Sequence, residues 1–318
     1  MSTGRDWAEL MRVSALCTVP GDVLAGAAAS GLRPGARTAC AVGASLCLYE
    51  AGMALNDWAD REEDAVERPH RPIPSGRITP AQALTAATGL TAGGVGLALA
   101  AGRPAAVCAV ALAGTVWAYD LWLKHTAAGP AAMATARGLD LLLGAAATVG
   151  SRAARRRPAT AGDPLGGTAK PVFRALLPAA VLGVHTCAVT MVSRAETQGG
   201  SPGGPFAALG VTAAIGALAG ASRGGSSLAP RRRPLRSPHE FAQVALAGAY
   251  VATAAKPFLH SALNPSPQLT QRAVGRGIRA MIPLQAALAA RSGALASAAL
   301  LTGLVPVARR LARKVSPT

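Results

Sequence analysis

The chain has 318 residues, of which 51% are hydrophobic and only 15% charged, and its formal net charge is +17. A soluble domain typically carries about 25% charged residues, so this composition excludes an ordinary soluble globule and points to an integral membrane protein. Aromatics are 3% and the basic residues sit in loops between apolar tracts, so the positive charge lacks the readout groups of a nucleic-acid-binding surface.

The tracts are rich in Ala, Leu and Gly and show no two-residue alternation, which fits membrane helices and not barrel strands. In chain order they predict about nine spans, at 13–31, 37–57, 80–101, 104–123, 130–150, 171–193, 205–221, 241–262 and 285–307. The seventh is short and the eighth carries Lys256 and Pro257, so eight is the alternative count. No composition shift divides the spans. The expected architecture is therefore an all-α integral membrane protein, one helical bundle over residues 1–318. The first apolar stretch contains Pro20 and Asp22 and no clear cleavage site, so it is expected to stay as the first helix. Segments near 151–170 and 221–238, rich in Arg, Pro, Gly and Ser, are expected to be disordered loops. Their runs Arg155–Arg157 and Arg231–Arg233 read as headgroup contacts or topology signals, or simply as solvated loops. Cys17, Cys40, Cys47, Cys108 and Cys187 lie singly in apolar segments without zinc-ligand spacing and read as small hydrophobes.

The segment after the second span is charged, proline-rich and specifically ordered. Six of the 15 acidic residues fall between Asp57 and Glu67. If the second helix runs on through them, Asn56, Asp60 and Asp64 lie four apart on one face, with Asp57 at its border. Carboxylates so close repel unless a cation sits among them, and a hard oxygen set with open positions suits Mg²⁺. Arg68, Arg71 and Arg77 follow, in position to close on the outer oxygens of a metal-bridged diphosphate. The competing reading is a hydrophilic helix end. Against it, Asn56 and Asp57 directly follow an apolar helix, where a charge is costly without a role.

The run NDWADREEDAVERPHRPIPSGRIT (Asn56–Thr79) resembles the first signature of the UbiA-type prenyltransferase superfamily. More narrowly, Ala118–Ala146, Val192–Gly200 and the tail KVSPT resemble the EboC-like branch. The resemblance implies a helical bundle around a lateral cavity open to lipid. It also implies transfer of a polyprenyl group from a Mg²⁺-bound polyprenyl diphosphate to an unidentified small acceptor, often aromatic. Asn56, Asp57, Asp60 and Asp64 match the first metal motif, and Arg68 and Arg71 the basic residues after it. Tyr119 and Lys124 match a pair near the diphosphate on the fourth helix. The second acidic motif departs from the pattern. Its place holds Ser193, Arg194, Glu196 and Gln198, with a single carboxylate, so Arg194 is expected to stand in for the second cation. The alternative that this departure favours is a non-catalytic carrier or scaffold. Asp120 and Asp140 replace expected Asn residues, and ion pairs with Lys124 and Arg137 are expected to hold them. Asp22 and Glu50 are intramembrane carboxylates, read either as acceptor-pocket groups or as partners of an arginine; His185 reads as a packing residue. The expected location is a cell membrane, crossed several times, with the acidic motif on the cytosolic face as the family places it. The basic loops opposite argue the other way.

Overall fold

Helix starts follow local capping chemistry. Thr79 Oγ1 accepts from the Gln82 N–H at 3.2 Å while Gln82 Oε1 accepts from the Thr79 N–H at 2.9 Å, with Pro80 as the first helical residue. The computed structural model describes residues 3–12, 16, 18–150, 166–194, 201–221 and 237–315, and the regular structure there is helical. The elements are α1 (Gly4–Leu10), α2 (Val19–Ala29), α3 (Ala36–Ala59), α4 (Arg61–Glu67), α5 (Pro80–Ala101) and α6 (Arg103–Ala118). A π-helical segment (Tyr119–Leu123) follows, then α7 (Gly129–Val149), α8 (Gly166–Ser193), α9 (Gly203–Gly220), α10 (Pro238–Leu263), α11 (Pro267–Arg291) and α12 (Leu295–Val315).

Among the described residues, six helices are long and apolar enough to cross a membrane: α3, α5, α6 with its π continuation, α7, the Lys170–Ser193 part of α8, and α9. Outward-facing Leu99, Val107 and Val110 are 58%, 70% and 56% exposed, as lipid-facing positions should be. The protein is a multi-helix membrane bundle.

Three of the nine expected spans are not among these six: the eighth lies in α10, 26 residues long but outside that apolar set, and the first and last are corrected. The first shrinks to α2, whose 11 residues rise about 17 Å against a hydrocarbon core of about 30 Å. Residues 13–15 and 17 of that expected span lie outside the described ones. The last expected span, 285–307, is two helices. Gly293, at φ 81, ends α11: its N–H meets Ala290 O at 2.9 Å and the Ala294 N–H meets Ala289 O at 3.0 Å, a Schellman stop. The expected loops lie mostly outside the described residues, but Gly166–Lys170 form the first turn of α8, and Ser237 caps α10 by accepting from the Glu240 N–H.

Close approach of backbones holds the bundle. A Cβ on Gly26 of α2 would lie 1.9 Å from Leu141 O, and one on Gly144 of α7 would lie 2.1 Å from Val23 O. Two small residues thus let α2 and α7 touch along their main chains, the usual substitute in lipid for a hydrophobic driving force. α2 also packs against α3, α8, α11 and α12, so this short helix is a central post that fills only part of the bundle's depth. Short connections alternate helix direction. They bring the end of α3, the π segment, the start of α7, the end of α8 and the start of α11 to one end of the bundle.

Candidate active site

At that end the backbone itself arranges the polar groups. The α-helical pattern of i to i−4 bonds passes through the α3–α4 junction, with the Asp60 N–H on Asn56 O at 2.9 Å and the Asp64 N–H on Asp60 O at 2.8 Å. On a plain α-helix, Tyr119 and Lys124 would point about 140° apart. The π segment corrects this: the Lys124 N–H bonds Tyr119 O at 2.9 Å, five residues back, which stacks the two on one side.

The motif carboxylates do not act as one row. Asp57 and Asp64, both buried, converge on Arg71, whose guanidinium lies 3.4 Å from Asp57 Oδ1 and 2.6 Å from Asp64 Oδ2. Arg12 adds a second contact to Asp57 Oδ1 at 3.1 Å, and Arg68 approaches Asp64 at 3.8 Å. Asp60 turns instead to Lys124, with which it is ion-paired. Asn56 donates to Asp120 at 3.0 Å. The expected Asp120–Lys124 pair is thus replaced: Lys124 is taken by Asp60, and a neutral amide caps Asp120.

Arg12 is a residue that the sequence reading missed. It has φ 48, a left-handed backbone that costs a non-glycine residue energy and is kept where the surroundings demand it. Glu63 and His125 were also missed. One ligand atom each from Asp60, Glu63 and His125 lie within 4.8 Å of one another. The signal was the adjacency of His125 to Lys124, but only the fold brings it to α4.

A brace supports this end. Ile73 and Ile78, from the loop after α4, pack with Leu10, Trp7, Leu55 and Trp58. From the same loop Arg77 bonds Asp6 at 2.7 Å, Glu9 at 2.9 Å and His70 O at 2.6 Å. Hydrogen bonds from the Thr3 hydroxyl and backbone, and then from Arg77, pull the Asp6 carboxyl down to about 2. Glu9 and then Asp6 hold Arg77 more firmly protonated. Arg194, at the end of α8, donates to Thr126 O at 2.7 Å, which ties α8 to the turn after Lys124. Glu196 lies outside the described residues.

Asp22 belongs to a different cluster. It is 0% exposed and pairs with Arg137 at 2.5 Å, while Gln285 donates to its other oxygen at 2.7 Å. The Arg137 pair expected for Asp140 goes to Asp22, because α2 presents that carboxylate to α7; Asp140 takes the Ser45 hydroxyl at 2.7 Å. His185 is a packing residue held between the Tyr250 hydroxyl and Gly277 O, each at 3.0 Å.

The donor set at the mouth fits Mg²⁺. Asp57, Asp60, Asp64 and Glu63 offer hard oxygens, and both arginine contacts on Asp57 fall on Oδ1, which leaves Oδ2 clear of those pairs.

A family model described as the UbiA prenyltransferase family matches residues 14–200. A digeranylgeranylglyceryl phosphate synthase from Methanopyrus kandleri is 41% identical over 114 residues, which is 36% of this chain and 40% of the relative. The chain spans about half the length, or less, of the curated relatives it matches first. By fold, it is similar to a UbiA homologue from Aeropyrum pernix, with TM-score 0.62, 16% identity, and coverage of 86% of this chain and 96% of that one. A UbiA homologue from Archaeoglobus fulgidus, solved bound to GPP and Mg²⁺, gives TM-score 0.56 and 12% identity, over 92% and 99% of the two chains.

Proposed function

The chain belongs to the UbiA prenyltransferase family, and from that premise we propose that it transfers a polyprenyl group from its diphosphate to the hydroxyl of a glyceryl phosphate lipid. The observation that carries this reading is the convergence of Asp57, Asp60 and Asp64 with Arg12, Arg68, Arg71 and Lys124 at one end of the bundle. The relatives' name favours a glyceryl phosphate over the aromatic acceptor considered from the sequence.

Asp57, Asp60 and Asp64 would hold Mg²⁺, directly or through water, with Asn56 and Glu63 beside them. When bound, the ion supplies charge neutralisation at the leaving diphosphate. The basic side chains do the rest. Arg12, Arg71 and Lys124 rest on the carboxylates and swing to phosphate oxygens as the substrate enters, so charges exchange partners without leaving any buried alone. Tyr119 and Arg194 close the rim above Lys124. The bond between the allylic carbon and the diphosphate oxygen breaks, its electron pair stays with the diphosphate, and the acceptor hydroxyl oxygen takes the carbon. The hydroxyl proton leaves to water. Arginine and lysine contacts that strengthen as charge builds on the leaving group supply most of the protein's contribution.

Purified protein given geranylgeranyl diphosphate and geranylgeranylglyceryl phosphate should form the ether and release diphosphate with Mg²⁺ but not with EDTA, and Asp60→Asn should abolish both. Binding of both substrates with no product would favour the carrier reading. The acidic end faces the cytosol, the source of Mg²⁺ and of newly made diphosphates. In a cysteine-free background, Ser75→Cys should resist an impermeant thiol reagent in intact cells while Ala36→Cys reacts. The reverse pattern inverts the topology.

A further inference from the structure

The end of the bundle away from the acidic mouth has an opening of its own. There α8 begins, α9 and α11 end, and the three helices pack against one another. Between them lies an open groove of about 410 Å³, a size suited to a small ligand. α8 lines it with Arg174, Leu177 and Val181, which stand at i, i+3 and i+7 and so share one helix face. α9 contributes Leu218, and α11 contributes Leu288 and Arg291.

The lining changes with depth. Val181 and Leu288 are buried and form the floor, while Leu177 and Leu218, 53% and 38% exposed, form the sides. Both arginines stand at the rim. Arg174 lies four residues, about 6 Å, inside the start of the apolar part of α8, and Arg291 is the last residue of α11. Arg291 donates to Leu218 O and ties the end of α9 to that of α11. Arg174 makes no hydrogen bond or ion pair among the described residues. Its guanidinium rests beside Gly31, 3.4 Å from where a Cβ would stand.

Charge at this end runs one way. Among the described residues here, one carboxylate, Glu240 at the start of α10, stands against Arg33, Arg37, Arg103, Lys170, Arg174 and Arg291. A cation one turn inside an apolar helix is costly without a partner. Basic pockets between membrane helices bind anionic lipid headgroups, and a guanidinium grips phosphate oxygens through paired N–H donors. An apolar floor below such a rim matches the chain that hangs from the headgroup.

We infer that this groove holds one anionic phospholipid, with its phosphodiester on Arg174 beside Arg291 and an acyl chain over Leu177, Val181 and Leu288. A lipid so seated joins the ends of α8, α9 and α11. The site is independent of the prenyl-transfer reading.

The test places the full chain in nanodiscs that mix phosphatidylcholine with phosphatidylglycerol of the same acyl chains. The protein is then moved to detergent, and the lipids it retains are counted by native mass spectrometry. Wild type should keep one phosphatidylglycerol, enriched about tenfold or more over phosphatidylcholine relative to the mixture. Arg174→Gln should bring the enrichment within about twofold of none, and Arg174→Lys should keep part of it. Arg103→Gln removes a charge at the same end but outside the groove lining, and should leave the enrichment unchanged. A wild type that shows no enrichment overturns the inference, as does an Arg174→Gln protein that keeps it. Equal loss in Arg103→Gln would overturn it too, because a diffuse field and not the groove would then hold the lipid. Release of the lipid by inorganic phosphate alone would show a site for free anions, which contradicts a lipid seated through both headgroup and chain.

Discussion

Asp57 and Asp22 are both buried carboxylates paired with an arginine, yet their settings differ in supply and access. At the mouth, Asp57 has two guanidinium partners, and the Arg12 side chain is 40% exposed. In the interior, one arginine, Arg137, serves Asp22, while Gln285 and Ser45 cap Asp22 and Asp140 with neutral donors. Asp140 Oδ1 and Gln285 Oε1 have no partner among the described residues. A sealed pair with neutral caps has nothing to exchange with and acts as a staple. A pair with surplus cations at an opening can release them to an incoming diphosphate while the carboxylates take a metal. Burial alone does not separate the two cases; the number of competing partners and the route to solvent do.

The sharpest way to break the comparison is at the staple. Arg137→Met leaves Asp22 buried and uncompensated, which should cost about 3–5 kcal/mol of stability, seen as a lower unfolding midpoint in detergent. Adding Asp22→Leu should recover much of it. If Arg137→Met is instead as stable as wild type and loses donor binding, the interior cluster is a site. The next effect is smaller. Arg71→Ala should weaken binding of a prenyl diphosphate analogue about tenfold and shift the unfolding midpoint less than Arg137→Met, because the Arg71 side chain is 19% exposed and Arg12 and Arg68 remain beside its partners.

The motif was legible because its chemistry is local: Asn56, Asp57, Asp60 and Asp64 lie within nine residues, and helical spacing alone predicts their proximity. Their partners were not. The pairing of Asp60 with Lys124 and of Asp57 with Arg12 depends on which helices pack together. The Asp120–Lys124 expectation failed because sequence nearness was taken for contact, while the π segment turns Lys124 towards α3. α11 escaped the hydropathy reading because Arg272, Arg276 and Arg279 depress its first half. Its end was readable in Arg291–Ser292–Gly293, a basic last turn followed by a glycine cap.

The smallest effect concerns the brace at the mouth. Asp6 is lowered from the ordinary 3.8 to about 2. Its ion pair therefore contributes fully above pH 3.8 and is lost as pH falls towards 2. The difference in melting temperature between wild type and Asp6→Asn should be constant near neutrality and close within that window. A difference that persists at pH 2 assigns it to packing.

Exchange of partners at the mouth is most directly tested by binding of a non-hydrolysable prenyl diphosphate analogue to wild type and to Asp60→Asn, each with Mg²⁺ and with EDTA. Tight binding is predicted for wild type with Mg²⁺ alone, with the other three conditions at least about tenfold weaker and unfolding midpoints alike for both proteins. Equal affinity in all four conditions would contradict the account, because the mouth would then be a second staple.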